Sequence, residues 1–326
     1  MGDWNIKHIT HNSPIMEKKQ VLAFLEDYPW STQSRLTEPW DGETFGIVTA
    51  FYNDQIIGTI SYTISARGQG ILSQVFVAPD QRGKGLATVL IDQTVRTFRD
   101  NGARTVYLAA WSDWIRNMYR RVGFELAGTM GERHAFKLTL NDSGRDENLF
   151  RPGQPTVIRP MGAGDQTDIT SLFNTKHPWV VKHYELGCYL GSHFEGEFYI
   201  LRNRPIVGVV PEERKVQPGF QAFVLDGEET ALGFGTIIPS TRRHEGHSGT
   251  IDLLVHERYF DQFPALLDRL ETANELANLA TFIEKREDRK RHAIEAAGFT
   301  KTADLPDKLR IKDDRFDLEM YTKSYT

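Results

Sequence analysis

A glycine-containing turn at the end of an apolar segment is the first place in the chain where residue types and spacing predict chemistry. In the stretch VAPDQRGKGLAT, residues 77–88, the turn Arg82-Gly-Lys-Gly85 leads into the start of a helix. The glycines allow close approach of a phosphate and the backbone angles of an anion-binding nest, and Arg82 and Lys84 add positive charge. A helix N-terminus also exposes unpaired backbone N–H groups. The pattern alone fits equally well a strand-to-helix turn with solvated cations.

Two other phosphate-binding motifs are excluded by their spacing. A Walker loop requires a lysine and then Ser or Thr after its last glycine, whereas Leu86 follows Gly85. A dinucleotide fingerprint requires an acidic residue about 20 positions further on. Asn101-Gly102 stands there instead.

Tyr119 is the second candidate for chemistry, because a phenol can donate a proton to a leaving group. It falls on one helical face with Ile115, Met118 and Val122, and Gly123-Phe124 follows. This periodicity by itself favours a core aromatic residue.

The elements before the turn form an antiparallel meander. A helix is predicted over Met16 to Asp27. Strands are predicted over Phe45 to Tyr52, Gln55 to Ser65 and Ile71 to Val77, with Asn53-Asp54 as a hairpin turn.

A strand–helix–strand–helix unit follows the meander. The first helix begins after Gly85 and stops at Asn101-Gly102. Thr105 to Ala110 is a buried strand, and Ser112 caps the next helix, which ends at Gly123. The predicted fold class is α/β, a mixed sheet flanked by helices.

Three of these pieces resemble the GCN5-related N-acetyltransferase (GNAT) superfamily. They are the strand Ser73-Gln-Val-Phe-Val77, the loop from Arg82 that fits [QR]-x-x-G-x-[GA], and the segment from Ser112 to Phe124. Together they cover much of residues 45–140 in the family's order. The resemblance implies an enzyme that uses acetyl-CoA as co-substrate and no metal.

The resemblance also implies roles for individual residues. The backbone of Val75, Phe76 and Val77 would pair with the pantetheine arm, and one N–H of this strand would stabilise the oxyanion of the tetrahedral intermediate. Ser112 stands where the family often has a pantetheine-contacting Asn, and Tyr119 matches the tyrosine that protonates the departing thiolate. The amides expected to hold the pyrophosphate are those of Arg82, Gly83, Lys84, Gly85, Leu86, Ala87 and Thr88.

The general base is not assigned by the resemblance. Many relatives carry a Glu near the start of the pantetheine strand, where this chain has Ser73 and Gln74. A water relay or no dedicated base is expected, because an amine desolvated in a cleft loses its charge more easily. Asp41, Glu43 and Asp113 are remote candidates.

A chain of 326 residues predicts about two domains, and an internal repeat indicates a duplication. Gly123-Phe124 matches Gly298-Phe299 at an offset of 175 residues, as Gly58 matches Gly233, and Val77 matches Val255 at 178. The polar segment from Asn141 to Thr156 has little to bury. We therefore predict an acetyl-CoA-binding domain at residues 1–140, a linker at 141–156 and a second, degenerate copy at 157–326.

The second copy has lost the residues of the turn. Phe263 takes the place of Gly85, Pro264 removes an amide, and Ile294 stands where Tyr119 stands in the first copy. The tandem arrangement is similar to mycothiol-synthase-like enzymes and to acetyltransferases that inactivate amino-bearing antibiotics. The second copy either forms part of the wall of the acceptor site or only stabilises the first copy. Candidates to contact a cationic acceptor are Trp179, Tyr184, Glu185, Glu195 and Glu197.

Composition excludes several other classes of protein. The chain is 40% hydrophobic and 25% charged with a net charge of −5, so nothing recruits nucleic acid or an anionic membrane. Cys188 is the single cysteine, and no apolar run is long enough to span a membrane. We therefore expect a cytoplasmic protein. A monomer or homodimer is the expected oligomeric state. His244 and His247 lack a third metal ligand nearby, and the charged segment Glu284 to His292 predicts a solvated helix face.

The expected function is transfer of an acetyl group to a primary amine of a small molecule. An amino-bearing antibiotic of the aminoglycoside kind or a polyamine-like metabolite is the preferred acceptor, which would make the role self-resistance or detoxification. A lysine or N-terminus of a peptide or protein is the alternative acceptor. A non-catalytic acyl-CoA sensor is the alternative from another class, because no carboxylate base is evident.

Overall fold

Two seven-stranded mixed sheets flanked by helices make up the computed structural model, which confirms the predicted fold class. The structure describes residues 4–25, 30–110, 113–130, 133–189, 220–240, 247–311 and 313–325.

The first sheet is built from the first half of the chain. Its strands are β1 (Asn5–Ile9), β2 (Thr44–Tyr52), β3 (Gln55–Ile64), β4 (Gln69–Val77), β5 (Thr105–Ala110), β6 (Glu125–Met130) and β7 (Arg133–Thr139). Its helices are α1 (Ile15–Leu25), α2 (Trp30–Thr37), α3 (Leu86–Asp100) and α4 (Asp113–Arg121). The strand order is β1-β2-β3-β4-β5-β7-β6, and β4 with β5 is the parallel pair.

The elements that place the glycine turn lie within two residues of their predicted bounds, because local signals define them. Asn53 and Asp54 both have a left-handed backbone, with φ of 49° and 61°, and they reverse the chain between β2 and β3. Gly102 ends α3 with φ of 73°. The edge strand β1, the helix α2 and the hairpin of β6 and β7 were not predicted, because they are short or only partly apolar.

The second half of the chain repeats this architecture. Its sheet contains β8 (Thr156–Pro160), β11 (Gln221–Gly227), β12 (Ala231–Pro239), β13 (Ser248–Val255), β14 (Asn278–Glu284), β15 (Thr300–Ile311) and β16 (Asp314–Ser324). A two-stranded ribbon is formed by β9 (Val181–His183) and β10 (Cys188–Tyr189). The helices are α5 (Asp146–Leu149), α6 (Gln166–Asn174), α7 (Phe263–Thr272) and α8 (Asp288–Ala296).

Strand order and direction are the same in the two sheets, as a duplication predicts. The second order is β8-β11-β12-β13-β14-β16-β15 when read from the equivalent edge, with β13 and β14 as the parallel pair. Gly58 pairs with Val77 in the first sheet, and Gly233 pairs with Val255 in the second. The strand pairing therefore supports the repeat that the sequence predicts.

The segment predicted as a linker buries more than its composition suggests. Leu149 and Phe150 are fully buried and join the hydrophobic core of the second sheet. The expectation that residues 141–156 have little to bury is wrong, because two apolar side chains are enough to anchor a polar segment. The boundaries at 140 and 157 stay a prediction.

The helix α6 lies between the two halves of the chain and is buried on all sides. Ile169, Leu172 and Phe173 pack into the second core. On its other side Thr167 donates to Glu43 (3.3 Å), and Asp168 accepts from Ser65 (2.7 Å). The second half is therefore packed directly against the first sheet.

An ion-pair network closes the same interface. The Arg67 guanidinium lies 2.7 Å from Asp168 and 2.5 Å from Asp226. Arg104 pairs with Glu229 at 2.5 Å. These charges come from the turns at one end of the first sheet and from α6, β11 and the turn after β11, so the interface is polar and specific.

The charged segment Glu284 to His292 is not simply a solvated helix face. Glu284, Glu287 and Lys290 are buried. Lys290 donates to the backbone oxygen of Val181 at 2.5 Å, and Glu287 accepts from the amides of Val180 and Val181. That prediction is wrong for these three residues, because Glu287 and Lys290 bind the backbone at the start of β9 and Glu284 accepts from Arg286.

Candidate functional site

The first sheet opens between β4 and β5. Their parallel pairing covers three residue pairs, from Gln69 with Thr105 to Ile71 with Tyr107. On its other side β4 stays paired with β3 as far as Val77. Beyond Ile71, the β5-facing edge of β4 has no strand partner among the described residues. The part of this edge that lines the cleft, Val75 to Val77, can pair through its backbone N–H and C=O groups with an extended ligand.

A bulge at Gln74 shapes this open edge. Gln74 has φ of 51°, and the register between β3 and β4 shifts between the pairs Thr59–Phe76 and Ser61–Ser73. The Gln74 side chain accepts from Ser61 at 2.5 Å and donates to Thr32 at 2.8 Å. These bonds to β3 and α2 hold a backbone conformation that is strained for a residue with a side chain.

The predicted glycine turn has the geometry of an anion site. Gly83 and Gly85 have φ of 76° and 84°, and a Cβ atom on either would meet nothing within 4 Å. No side chain caps α3 at Gly85. In the described part of the chain, no acceptor meets the amides of residues 83–88. Six consecutive N–H groups, in the turn and in the first residues of α3, therefore have no acceptor among the described residues, which suits a pyrophosphate.

The side chains of the two cationic residues in the turn, Arg82 and Lys84, make different contacts. Arg82 donates to the backbone oxygen of Val77 at 3.0 Å, which ties the turn to the end of β4. Lys84 donates to Gln81 at 3.2 Å on the exposed side. The two cations of the turn therefore bind different partners, the end of β4 for Arg82 and a neighbouring side chain for Lys84.

A single cleft of ≈ 600 Å³ joins the open strand edge, the turn and the helix α4. Its lining residues are Val75, Phe76, Val77, Gln81, Arg82, Gly83, Gly85, Leu86, Ala87, Ile115, Met118 and Tyr119. The predicted residues Lys84 and Thr88 lie in the same turn but do not line the cleft. Ser112 lies outside the described residues.

Three lining residues were not predicted, namely Gln81, Ile115 and Met118. Ile115 and Met118 share a helix face with Tyr119, and this spacing was the available signal. The sequence showed that the face is apolar, but not that it borders an open cleft.

Tyr119 borders the cleft although it is almost completely buried, with 3% of its surface exposed. Its ring lies edge-on to Phe124, with centroids 5.6 Å apart, and tilted against Phe136 at 6.3 Å. The two roles weighed for this residue, core aromatic and proton donor, are compatible. Packing fixes the ring at the wall of the cleft.

Two of the remote carboxylates, Asp41 and Glu43, do not line the cleft. Glu43 is buried in an ion pair with Arg35 at 3.0 Å, and Asp41 accepts from the amide of Gly164 at 3.4 Å. Burial raises the pKa of Glu43, against the opposing effect of Arg35. Both acids belong to the interface between the two halves, and the side chain of Asp113 lies outside the described residues.

The family comparison agrees with this geometry. Residues 15–124 match the acetyltransferase (GNAT) family model, a range that contains α1, the meander, the glycine turn and Tyr119. We refer to the first half of the chain, which contains these matched residues, as the GNAT domain. No curated protein matches the sequence at a significant level.

The solved structures to which the chain is similar share little sequence identity with it. A GNAT-family acetyltransferase from Streptococcus pneumoniae is 13% identical with a TM-score of 0.39, covering 53% of this chain and 100% of that one. A ribosomal-protein-alanine N-acetyltransferase from Brucella melitensis is 16% identical with a TM-score of 0.39, covering 52% and 99%. The protein yncA from Salmonella typhimurium, solved with its cofactor acetyl-CoA, is 14% identical with a TM-score of 0.39, covering 52% and 93%.

The equivalent opening in the second sheet is filled by the chain itself. There β13 and β14 also pair over only three residue pairs, from Ser248 with Asn278 to Thr250 with Ala280. Trp179 donates to the backbone oxygen of Val255 at 3.1 Å, at the strand end that corresponds to Val77. The remaining cavity, lined in part by Val181 and Ile294, measures ≈ 10 Å³.

The loop of the second copy differs as the sequence predicts. Phe263 has a helical φ of −57° and stacks on Phe260, with centroids 5.0 Å apart. It is buried, and Pro264 follows it in the first turn of α7. Apolar side chains therefore occupy the region where the GNAT domain keeps two glycines and free amides.

The residues expected to contact a cationic acceptor are not brought to the cleft. Trp179 is buried in the second core, which contradicts its expected exposure. Tyr184 and Glu185 line a different cleft, beside β13 and β14 of the second sheet. Glu195 and Glu197 lie outside the described residues.

Metal and membrane features were searched in the same part of the chain. Among the described residues, no group of three or more His, Cys, Asp and Glu side chains is placed to hold a metal ion. His247 is exposed, and His244 lies outside the described residues. No described helix has the length and apolar character needed to cross a membrane.

Proposed function

We propose that the chain transfers an acetyl group from acetyl-CoA to the primary amine of a small molecule in the cleft between β4 and β5. The carrying observation is that one continuous cleft combines the open edge of β4, the glycine turn with its free amides, and Tyr119. A ligand with an extended amide-containing arm and a pyrophosphate matches the first two features. A reaction that releases a thiolate uses the third.

Acetyl-CoA would lie along β4 with its pyrophosphate at the glycine turn. The free amides of residues 83–88 and the positive end of the α3 dipole would bind the phosphates. The pantetheine arm would pair with Val75, Phe76 and Val77 as an added strand. The thioester would then lie near the bulge at Gln74, at the inner end of the open edge.

The reaction would be direct attack of the neutral amine on the thioester carbonyl. A bond forms between the amine nitrogen and the carbonyl carbon, and an N–H of β4 stabilises the oxyanion. The C–S bond then breaks, the Tyr119 hydroxyl donates a proton to the departing thiolate, and the nitrogen loses a proton to water. Neither Ser73 nor Gln74 acts as a base, so positioning supplies much of the rate enhancement.

The second half would act chiefly as a brace for the GNAT domain. Its α6 packs against the strand ends where β4 and β5 begin, just before they separate, and its own opening is filled. The buried cysteine suits a reducing compartment, and we propose a cytoplasmic monomer or homodimer.

Thiol release measures this activity directly. We expect free CoA to appear when the protein and acetyl-CoA are mixed with a panel of primary amines, including a polyamine, an aminoglycoside, an arylalkylamine and a lysine peptide. The panel distinguishes small-molecule from peptide acceptors. Binding of acetyl-CoA without CoA release for any amine would contradict the proposal and favour the acyl-CoA sensor.

A further inference from the structure

Phe76 is an exposed aromatic residue in the wall of the cleft. It is 39% exposed, whereas the neighbouring Val75 and Val77 pack against the core of the first sheet. Side chains alternate between the two faces of a strand. Phe76 therefore projects from the opposite face, on which α1 packs.

Phe24 of α1 holds the Phe76 ring in place. The two rings lie edge to face, with centroids 5.3 Å apart and an interplanar angle of 88°. This is a favoured geometry for an aromatic pair. We call Phe24 and Phe76 the aromatic ledge.

The described lining of the cleft offers a polycation no anionic partner. Arg82 carries the only full charge among the described lining residues, and it lies at the phosphate end. None of these lining residues has a carboxylate. A polyamine or aminoglycoside would leave its additional ammonium groups without a partner there, whereas an apolar body would find apolar walls.

We propose that the acceptor is a primary amine joined by a short arm to an aromatic ring, and that the ring packs on the aromatic ledge. This inference rests on the proposed function. Phe76 lies two residues beyond the bulge at Gln74, about 7 Å along the strand. An acceptor with its ring on the aromatic ledge and its amine at the thioester therefore needs only a short linker between the two groups. Phe24 is a positioning residue, because it acts through Phe76.

The test compares phenylethylamine, butylamine, spermidine and kanamycin as acceptors in the thiol-release assay. We expect the highest kcat/KM for phenylethylamine. Phe24→Ala should raise the KM for phenylethylamine about 10-fold and change the KM for butylamine little, and Phe76→Ala should also raise the KM for phenylethylamine. Phe24→Ala should leave the dissociation constant of acetyl-CoA unchanged. Tyr52→Ala removes an exposed aromatic at the β2–β3 hairpin and is the matched control with wild-type kinetics.

Each outcome separates this inference from the proposed function. CoA release that is fastest with spermidine or kanamycin would overturn the inference and leave the acetyltransferase proposal standing. An equal loss with phenylethylamine and butylamine in Phe24→Ala would also overturn it, since it would indicate a purely structural role. No release with any amine would refute the proposed function itself. Circular dichroism and thermal melting confirm that each variant is folded.

Discussion

At the scale of single residues, the cleft combines side chains and backbone groups that the sequence reveals unequally. The left-handed backbone of Gly83 and Gly85 could be predicted, because a glycine at a strand-to-helix junction is a local signal. Tyr119 could be predicted from its place before Gly123-Phe124. The partners of Glu43 could not be predicted, because its hydrogen-bond donor Thr167 is 124 residues away in the chain.

Tyr119→Phe tests the proton donor. The ring and its packing on Phe124 stay, and only the hydroxyl is removed. We expect kcat to fall about 100-fold or more, the lower range for loss of a general acid, with little change in acetyl-CoA affinity. Steady-state thiol release and calorimetric titration measure the two quantities. Tyr52→Phe is the control, and a Tyr119→Phe enzyme with normal turnover would remove this residue from the mechanism.

Cys188 should be inert in the folded protein. It is 1% exposed, and burial raises the pKa of its thiol to about 12. At pH 8 almost none is thiolate, which is the reactive form. A thiol reagent should therefore modify no cysteine in the native protein and one in guanidinium chloride. Rapid modification of Cys188 in the native protein would contradict its burial. If the modification is slow, thiol reagents can measure released CoA without interference from the protein.

At the scale of elements, the candidate site lies where β4 separates from β5. The corresponding opening between β13 and β14 of the second copy is filled by the chain itself. The sequence predicted both strands of each pair. It did not predict the bulge at Gln74, because nothing in the residue pattern marks one extra residue in a strand. It also did not predict that β9 covers the second opening, because a three-residue strand has too little periodicity to be recognised.

Trp179 tests the element that fills the second opening. Trp179→Ala should lower the free energy of unfolding by about 3–5 kcal/mol, because it leaves a cavity beneath β9. Trp179→Phe keeps much of the ring volume and loses mainly the hydrogen bond to Val255, for a loss of about 1 kcal/mol. Urea titration measures both. A Trp179→Ala protein as stable as the wild type would show that Trp179 does not fill the opening.

At the scale of the whole molecule, the second half supports the first through α6 and the Arg67 network. The duplication was visible in the sequence as a weak repeat, so the two-sheet architecture could be predicted. The interface could not, since Arg67 and Asp168 each look like solvated charges in sequence and are 101 positions apart. Only the packing of the two sheets brings them together.

Arg67→Met tests this interface. The substitution leaves Asp168 buried without its cation, and we expect a loss of about 3 kcal/mol in the free energy of unfolding near pH 8. Burial raises the pKa of Asp168 to about 6 even with Arg67 present. At pH 5 the Asp168 carboxyl of the variant is protonated, so no unpaired charge is buried. The folded state also binds this proton more tightly than the unfolded state does. The loss in the free energy of unfolding should therefore be smaller at pH 5 than at pH 8.

Arg145→Met is the control for this substitution. Arg145 pairs with Asp142 on the surface, where both side chains are largely exposed. Loss of this ion pair should lower the free energy of unfolding by about 0–1 kcal/mol at either pH. Equal stabilities of the Arg67→Met and Arg145→Met proteins at pH 8 would contradict a stabilising role for the Arg67 network.

Calorimetric titration with acetyl-CoA tests whether the glycine turn of the first sheet is the acetyl-CoA site of the chain. We expect one acetyl-CoA per wild-type chain. Gly85→Trp should abolish binding, because a side chain at this left-handed position enters the space in front of the free amides. Asp261→Trp, on the exposed surface of the corresponding loop in the second copy, should bind like the wild type. Two bound molecules per chain, or binding retained in Gly85→Trp and lost in Asp261→Trp, would contradict the account.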